Sequence, residues 1–213
     1  MLFKNVRGSI FGDDAKAIRK LGIIVPSAEE YDQLIMVNDG LLNVQSFLVE
    51  AYNQRFYVTN SSGMLLYKIK QLYGMIPDTY VIYDAFDVEL GKIVAKVEML
   101  APGYNVNIYG KSNFTVEKIS DPHHQDYVAL GLHMVFQGDY LNLDYEACSY
   151  DGQVLGEVKT KTPGDLLNAV IKLESNDYQL EVICSCACAI LSRLVMKWFS
   201  LFCLSVVIGG VMN

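Results

Sequence analysis

The decapeptide Val-Ile-Cys-Ser-Cys-Ala-Cys-Ala-Ile-Leu occupies residues 182–191. It is apolar on every side, and a helix of that composition has to be buried all round. A two-sheet sandwich offers no such place. A closed barrel of enough strands does, because its lumen is too wide for wall side chains alone to fill. Small residues at 185–189 (Ser-Cys-Ala-Cys-Ala) suit a helix threaded through a restricted space.

Upstream, residues 41–180 supply a wall of the required kind. Alternating runs flank polar turns: 56–59 (FYVT) and 64–70 (MLLYKIK) around Asn60-Ser61-Ser62-Gly63, and 80–83 (YVIY) and 88–99 around 84–87. The runs 140–148 and 153–161 flank Tyr150-Asp151-Gly152. Asp-Gly between alternating runs is a hairpin signal. Further strands fit 105–109, 113–119, 127–136, 166–173 and the residues from Tyr178 onward, with Gly91 at an expected bulge. Short strands at regular spacing, with no helix among them, predict a mainly β fold: a closed antiparallel barrel around a central C-terminal helix at 182–194.

Composition agrees. Of 213 residues 52% are hydrophobic and 19% charged, which excludes an extended disordered chain. Fourteen Tyr against one Trp favour strand. The net charge is −7, and residues 46–181 hold ten Lys/Arg against eighteen Asp/Glu. Without a broad basic field there is nothing to release counterions from phosphates, so nucleic acid is not an expected partner. Five cysteines, four of them in the apolar C-terminal stretch, are not spread as a disulfide framework would be. A reducing compartment, the cytoplasm, follows, and residues 1–16 lack the features of a secretory signal.

Residues 1–40 read as an N-terminal extension. Ser27 and Glu30 form a capping-box pattern that predicts a short helix through Tyr31, Leu34 and Ile35, although residues 34–37 could equally open a strand.

The order of hairpins followed by an apolar helix resembles the LURP-one-related family, whose fold is shared with the tubby C-terminal domain and the phospholipid scramblases. Residues 138–158 resemble the family's penultimate hairpin, and 177–182 (DYQLEV) the strand that feeds its central helix. The resemblance spans roughly residues 45–195 and implies a twelve-stranded barrel acting as a non-catalytic binding scaffold. Its implied partners are a protein or an anionic phospholipid headgroup, with a scramblase-like membrane protein as the alternative. Residues 1–40 and 196–213 depart from the compact family pattern.

Three sets of residues carry candidate chemistry. Lys68 and Lys70, Lys92 and Lys96, and Lys159 and Lys161 each share one face of a strand, as a lipid-phosphate site would need. Solvated outer faces are the plainer reading. Cys184, Cys186 and Cys188 fan around a helix and so read as buried packing, with S-acylation, extended to Cys203, as the alternative. His123 and His124, near Asp126 and His133, read as loop surface rather than metal ligands. No catalytic motif is present, and no cofactor or metal is expected.

Residues 198–212 carry no charge, fewer than the twenty or so that a spanning helix wants. A single helix from 182 to 212 across a bilayer would place Arg193 near its centre, at a cost of several kcal/mol. The expected division is a core helix ending near Arg193, then an apolar tail at 196–213 that either packs on the barrel or touches a membrane.

Overall fold

The computed structural model describes residues 13–36, 45–52, 55–96, 103–111, 113–119, 127–163, 167–174 and 176–209. Two helices come first, α1 (Asp13–Leu21) and α2 (Ala28–Met36). Six hairpins follow in chain order: β1 (Gln45–Tyr52) and β2 (Arg55–Asn60), β3 (Leu65–Leu72) and β4 (Thr79–Asp84), β5 (Glu89–Lys96) and β6 (Gly103–Ile108). Then come β7 (Phe114–Lys118) and β8 (Tyr127–Leu130), β9 (Met134–Asp139) and β10 (Asp144–Ser149), β11 (Val154–Thr160) and β12 (Asn168–Leu173), and finally α3 (Gln179–Gly209).

Each strand pairs antiparallel with its chain neighbours, and β1 pairs with β12 from Gln45 opposite Leu173 to Glu50 opposite Asn168. The sheet is therefore a closed twelve-stranded barrel with no free edge. The extra residue of the β4–β5 hairpin is Leu90, since Ile82 faces Gly91 and Tyr83 faces Glu89. Gly91 stands beside it because a Cβ there would lie 2.1 Å from the Asn107 carbonyl oxygen.

The apolar helix runs through the lumen. Every residue from Val182 to Ile190 is fully buried, and Leu191 nearly so. The inward wall meets it with Phe56, Ile69, Ile82, Val106, Phe136 and Ile171, all essentially inaccessible. Two of the hydroxyls inside pair with the helix backbone: the Tyr140 hydroxyl donates to the Ser185 carbonyl at 2.7 Å, and the Ser185 hydroxyl to the Glu181 carbonyl at 2.8 Å. Gly156 lets the helix enter close to the wall, since a Cβ there would lie 2.9 Å from Leu173 Cδ2 and 3.6 Å from Val182 Cγ1.

Several expectations change. The residues from Tyr178 onward form no strand: a 3-10 turn (Asn176–Tyr178) leads directly into α3, because Gln179 is already inside, where its Nε2 donates to the Tyr67 hydroxyl at 3.2 Å. The run 127–136 is two strands, broken where Gly131 and His133 take positive φ angles, so His133 sits in a turn. Nor does the helix end at Arg193. It continues to Gly209, with its side chains described as far as Val195.

The N-terminal segment is packed on the barrel. In α1, Asp14, Ala17, Ile18 and Leu21 share one face, and Ala17 is fully buried. The Ser27–Glu30 capping box forms, with the Ser27 N–H on Glu30 Oε2 at 2.8 Å and the Glu30 N–H on Ser27 Oγ at 3.3 Å. Tyr31 of α2 donates its hydroxyl to the Leu66 carbonyl and meets Phe86 edge-on at 5.1 Å.

Truncating Ile183 to Ala is expected to remove about 2–5 kcal/mol of stability, read from urea unfolding, because a filled lumen collapses poorly around a lost side chain. A loss below about 1 kcal/mol would mean that the wall does not grip the helix.

Candidate functional site

In a barrel wall, alternate residues face the helix and the exterior. Tyr67 and Ile69 point inward, which turns Lys68 and Lys70 outward. All six lysines singled out from the sequence have carboxylate partners. Lys68 Nζ lies 2.8 Å from Asp87, and Lys70 Nζ lies 2.6 Å from Asp14 and 2.9 Å from Asp87. Lys92 pairs with Glu89 at 3.5 Å, Lys96 with Glu117 at 2.5 Å and Lys161 with Glu50 at 2.7 Å, while Lys159 pairs with Glu157. Only Lys68 and Lys70 are brought onto one carboxylate, and the others hold separate ones. Lys68 is 2% exposed despite facing outward.

Asp14 of α1 joins the same group through Lys70. Its Oδ1 accepts from Arg55 Nη1 at 2.7 Å and from the Tyr57 hydroxyl at 2.9 Å, and its Oδ2 accepts from Lys70. Burial alone would raise the Asp14 pKa, but the hydrogen bonds from Lys70 and Tyr57 and the charges of Lys70 and Arg55 outweigh it and hold the carboxyl below its ordinary 3.8. Burial likewise opposes ionisation of Asp87, and bonds from Lys68 and Lys70 again pull it below 3.8. Burial, then its hydrogen bond to Asp14, pushes the Tyr57 phenol well up. This network is a clasp that fastens α1 to β2 and β3.

The thiols of Cys184, Cys186 and Cys188 are fully buried, and none is in a disulfide. Burial pushes the Cys186 thiol up to about 12 and also raises Cys184 and Cys188 strongly. An acyl donor has no route to them while the barrel is closed, and a neutral thiol is a poor nucleophile. The side chain of Cys203 and the residues His123, His124 and Asp126 lie outside the described residues. Among the described residues no group of three or more His, Cys, Asp or Glu is placed to hold a metal ion, and no helix is long and apolar enough to cross a membrane.

Three features escaped the sequence reading. Lys16, Arg19 and Lys20 project from the outer face of α1 and line an open depression of about 430 Å³. The capping-box pattern drew attention to α2, whereas the alternation of basic and apolar residues in DDAKAIRKL marked α1. At the barrel mouth, Arg193 Nη1 is buried with no hydrogen-bond partner among the described residues. The β3–β4 loop exposes Tyr73, Met75 and Ile76. The uncharged run 72–77 was the signal available.

No protein-family model matches this sequence, and no curated protein does. The X-ray structure of a protein from Arabidopsis thaliana is similar in fold. The TM-score is 0.50 at 15% identity, over 71% of this chain and 93% of that one. At that identity the likeness speaks for the barrel alone.

Two outcomes are expected. Because Asp14 and Asp87 have lowered folded-state pKa values, their contribution is complete above their ordinary 3.8 and fades as pH falls through the folded values. Amide protection in residues 14–21, corrected for intrinsic exchange, should therefore drop in acid, and Asp14→Asn should lose about 1–2 kcal/mol of it at neutral pH. Protection indifferent to both would remove the clasp. Separately, a disulfide reagent should leave Cys184, Cys186 and Cys188 unlabelled until denaturant is added, and native labelling would show that the lumen opens.

Proposed function

We propose that this protein is a non-catalytic binding scaffold of LURP-one-related type, sharing its architecture with tubby C-terminal domains and scramblases, and that it works from the outside of a filled barrel in the cytoplasm. One observation carries the reading: the lumen, where a barrel of this width would hold a ligand, is occupied by the chain's own helix from Val182 to Leu191. Recognition is left to the exterior.

Of the two partner classes, protein and anionic phospholipid, the second meets a suitable surface. The strand lysines are already spent on carboxylates. The outward cations of α1, Lys16 and Arg19, stand three residues apart on the helix and face solvent. The clasp beneath them holds that face in place.

Replacing Lys16 and Arg19 with Gln should weaken binding to phosphatidylserine-containing vesicles roughly thirtyfold, at about 1 kcal/mol per cation. Replacing Lys92 and Lys159 should change it less than about twofold, given the small worth of neutralised surface charges. Reconstituted full-length protein should also leave the transbilayer movement of a labelled phospholipid at the protein-free rate. Accelerated movement would overturn the scaffold in favour of the scramblase-like alternative.

A further inference from the structure

The barrel presents two different ends. Strands alternate in direction, so the six hairpins that join an odd strand to the next even one all turn at the same end. The helix enters at the opposite end, where Lys111, between β6 and β7, pairs with Glu181 at 2.9 Å and reaches the Asp177 carbonyl. It leaves among the odd-to-even hairpins, where the side chains of Ser192 and Tyr104 share a hydrogen bond at the start of β6.

The β3–β4 loop lies at that exit. It holds the two most exposed large apolar side chains of the described residues, Ile76 at 95% and Tyr73 at 72%, with Met75 at 50% between them. Its base is fixed on both sides. The Ala95 N–H donates to the Asp78 carbonyl at 2.9 Å, Gln71 Nε2 to Asp78 Oδ1 at 3.2 Å, and Thr79 Oγ1 to the Pro77 carbonyl at 3.1 Å. Gly74, with φ of 78°, makes the turn that holds the tip outward. A loop so tied cannot fold its apolar tip back onto the wall.

We propose that this end of the barrel inserts into a lipid surface, with Tyr73, Met75 and Ile76 entering the interfacial layer beside the departing helix. The proposal deepens the scaffold reading, on which it rests, by adding an apolar contact to the electrostatic one. A convex uncharged tip suits a deformable interface, and Tyr is at home where one end is apolar and the other wet. The occupant is argued from the neighbouring helix. Residues 198–209 (WFSLFCLSVVIG) carry no charge. From Val195 to Gly209 the helix extends only about 20 Å at 1.5 Å per residue, short of the roughly 30 Å hydrocarbon core. A short anchor of that kind holds firmly when a second contact is added, and the loop is placed to supply it.

The test uses the full-length chain and vesicles of pure phosphatidylcholine, which offer no net charge to the cations of α1. Wild type should bind, should hold in high salt, and should shift the emission of Trp198, the one tryptophan, to shorter wavelength. The double variant Met75→Asp and Ile76→Asp should bind at least about tenfold more weakly, since apolar burial is replaced by a carboxylate that resists leaving water. Its melting temperature should not move, because both side chains are exposed. Wild type failing to bind neutral vesicles would overturn the proposal, and so would a variant that binds unchanged. A variant that instead turns a dimer into a monomer in sedimentation would assign the loop to a second copy. A failure here with α1-dependent binding to anionic vesicles intact would leave the scaffold reading standing.

Discussion

A helix with apolar groups on every side cannot rest on a surface, because whichever face it turns to water costs free energy. It needs a wall all the way round. The rest of this structure follows from that demand. The wall is an antiparallel sheet whose first and last strands meet, β1 against β12, so no backbone edge is left open. The last strand also delivers the chain straight to the entrance, where Gln179 and Glu181 are already buried and partnered. Packing of this kind restricts the chemistry inside. Burial keeps the Tyr140 and Tyr145 phenols and the thiols of Cys184, Cys186 and Cys188 neutral, so the interior behaves as a core despite its hydroxyls and sulfurs.

With the interior committed to packing, the recognition proposed above falls to the outer surface. That surface is largely self-compensated: lysines on β3, β5 and β11 are answered by nearby acids. Two further features of that surface are positional. Basic residues gather on α1, which is attached to the barrel through its apolar face and through one part-buried carboxylate, Asp14, serving three donors. Apolar residues gather at the mouth from which α3 departs. Docking α1 has a further consequence, since it covers the outer face of β2 and β3 and turns Lys68 into a buried cation held by Asp87.

The residues themselves determined the wall, the helix and the capping box. Alternation of period two, turn residues between the runs and an uncharged decapeptide are local properties, and each survives in the folded chain. Local pattern also misled in places. The run 127–136 reads as one strand because Gly131 and His133 look harmless between apolar neighbours, yet both adopt positive φ angles and reverse the chain. Residues 177–182 alternate like a strand, but the lumen beyond them has room only for a helix.

What tertiary structure alone decided was which outward side chains see water. Period two says that Lys68 and Lys70 share a face with every other residue of their strand. It cannot say that a helix some fifty residues earlier will cover that face, nor that Asp14 will meet Lys70 at 2.6 Å. The same holds for the mouth, where Tyr73, Met75 and Ile76 stand beside a helix that begins a hundred residues later. Solvation and charge pairing depend on distances through space, and those are created only when the barrel closes.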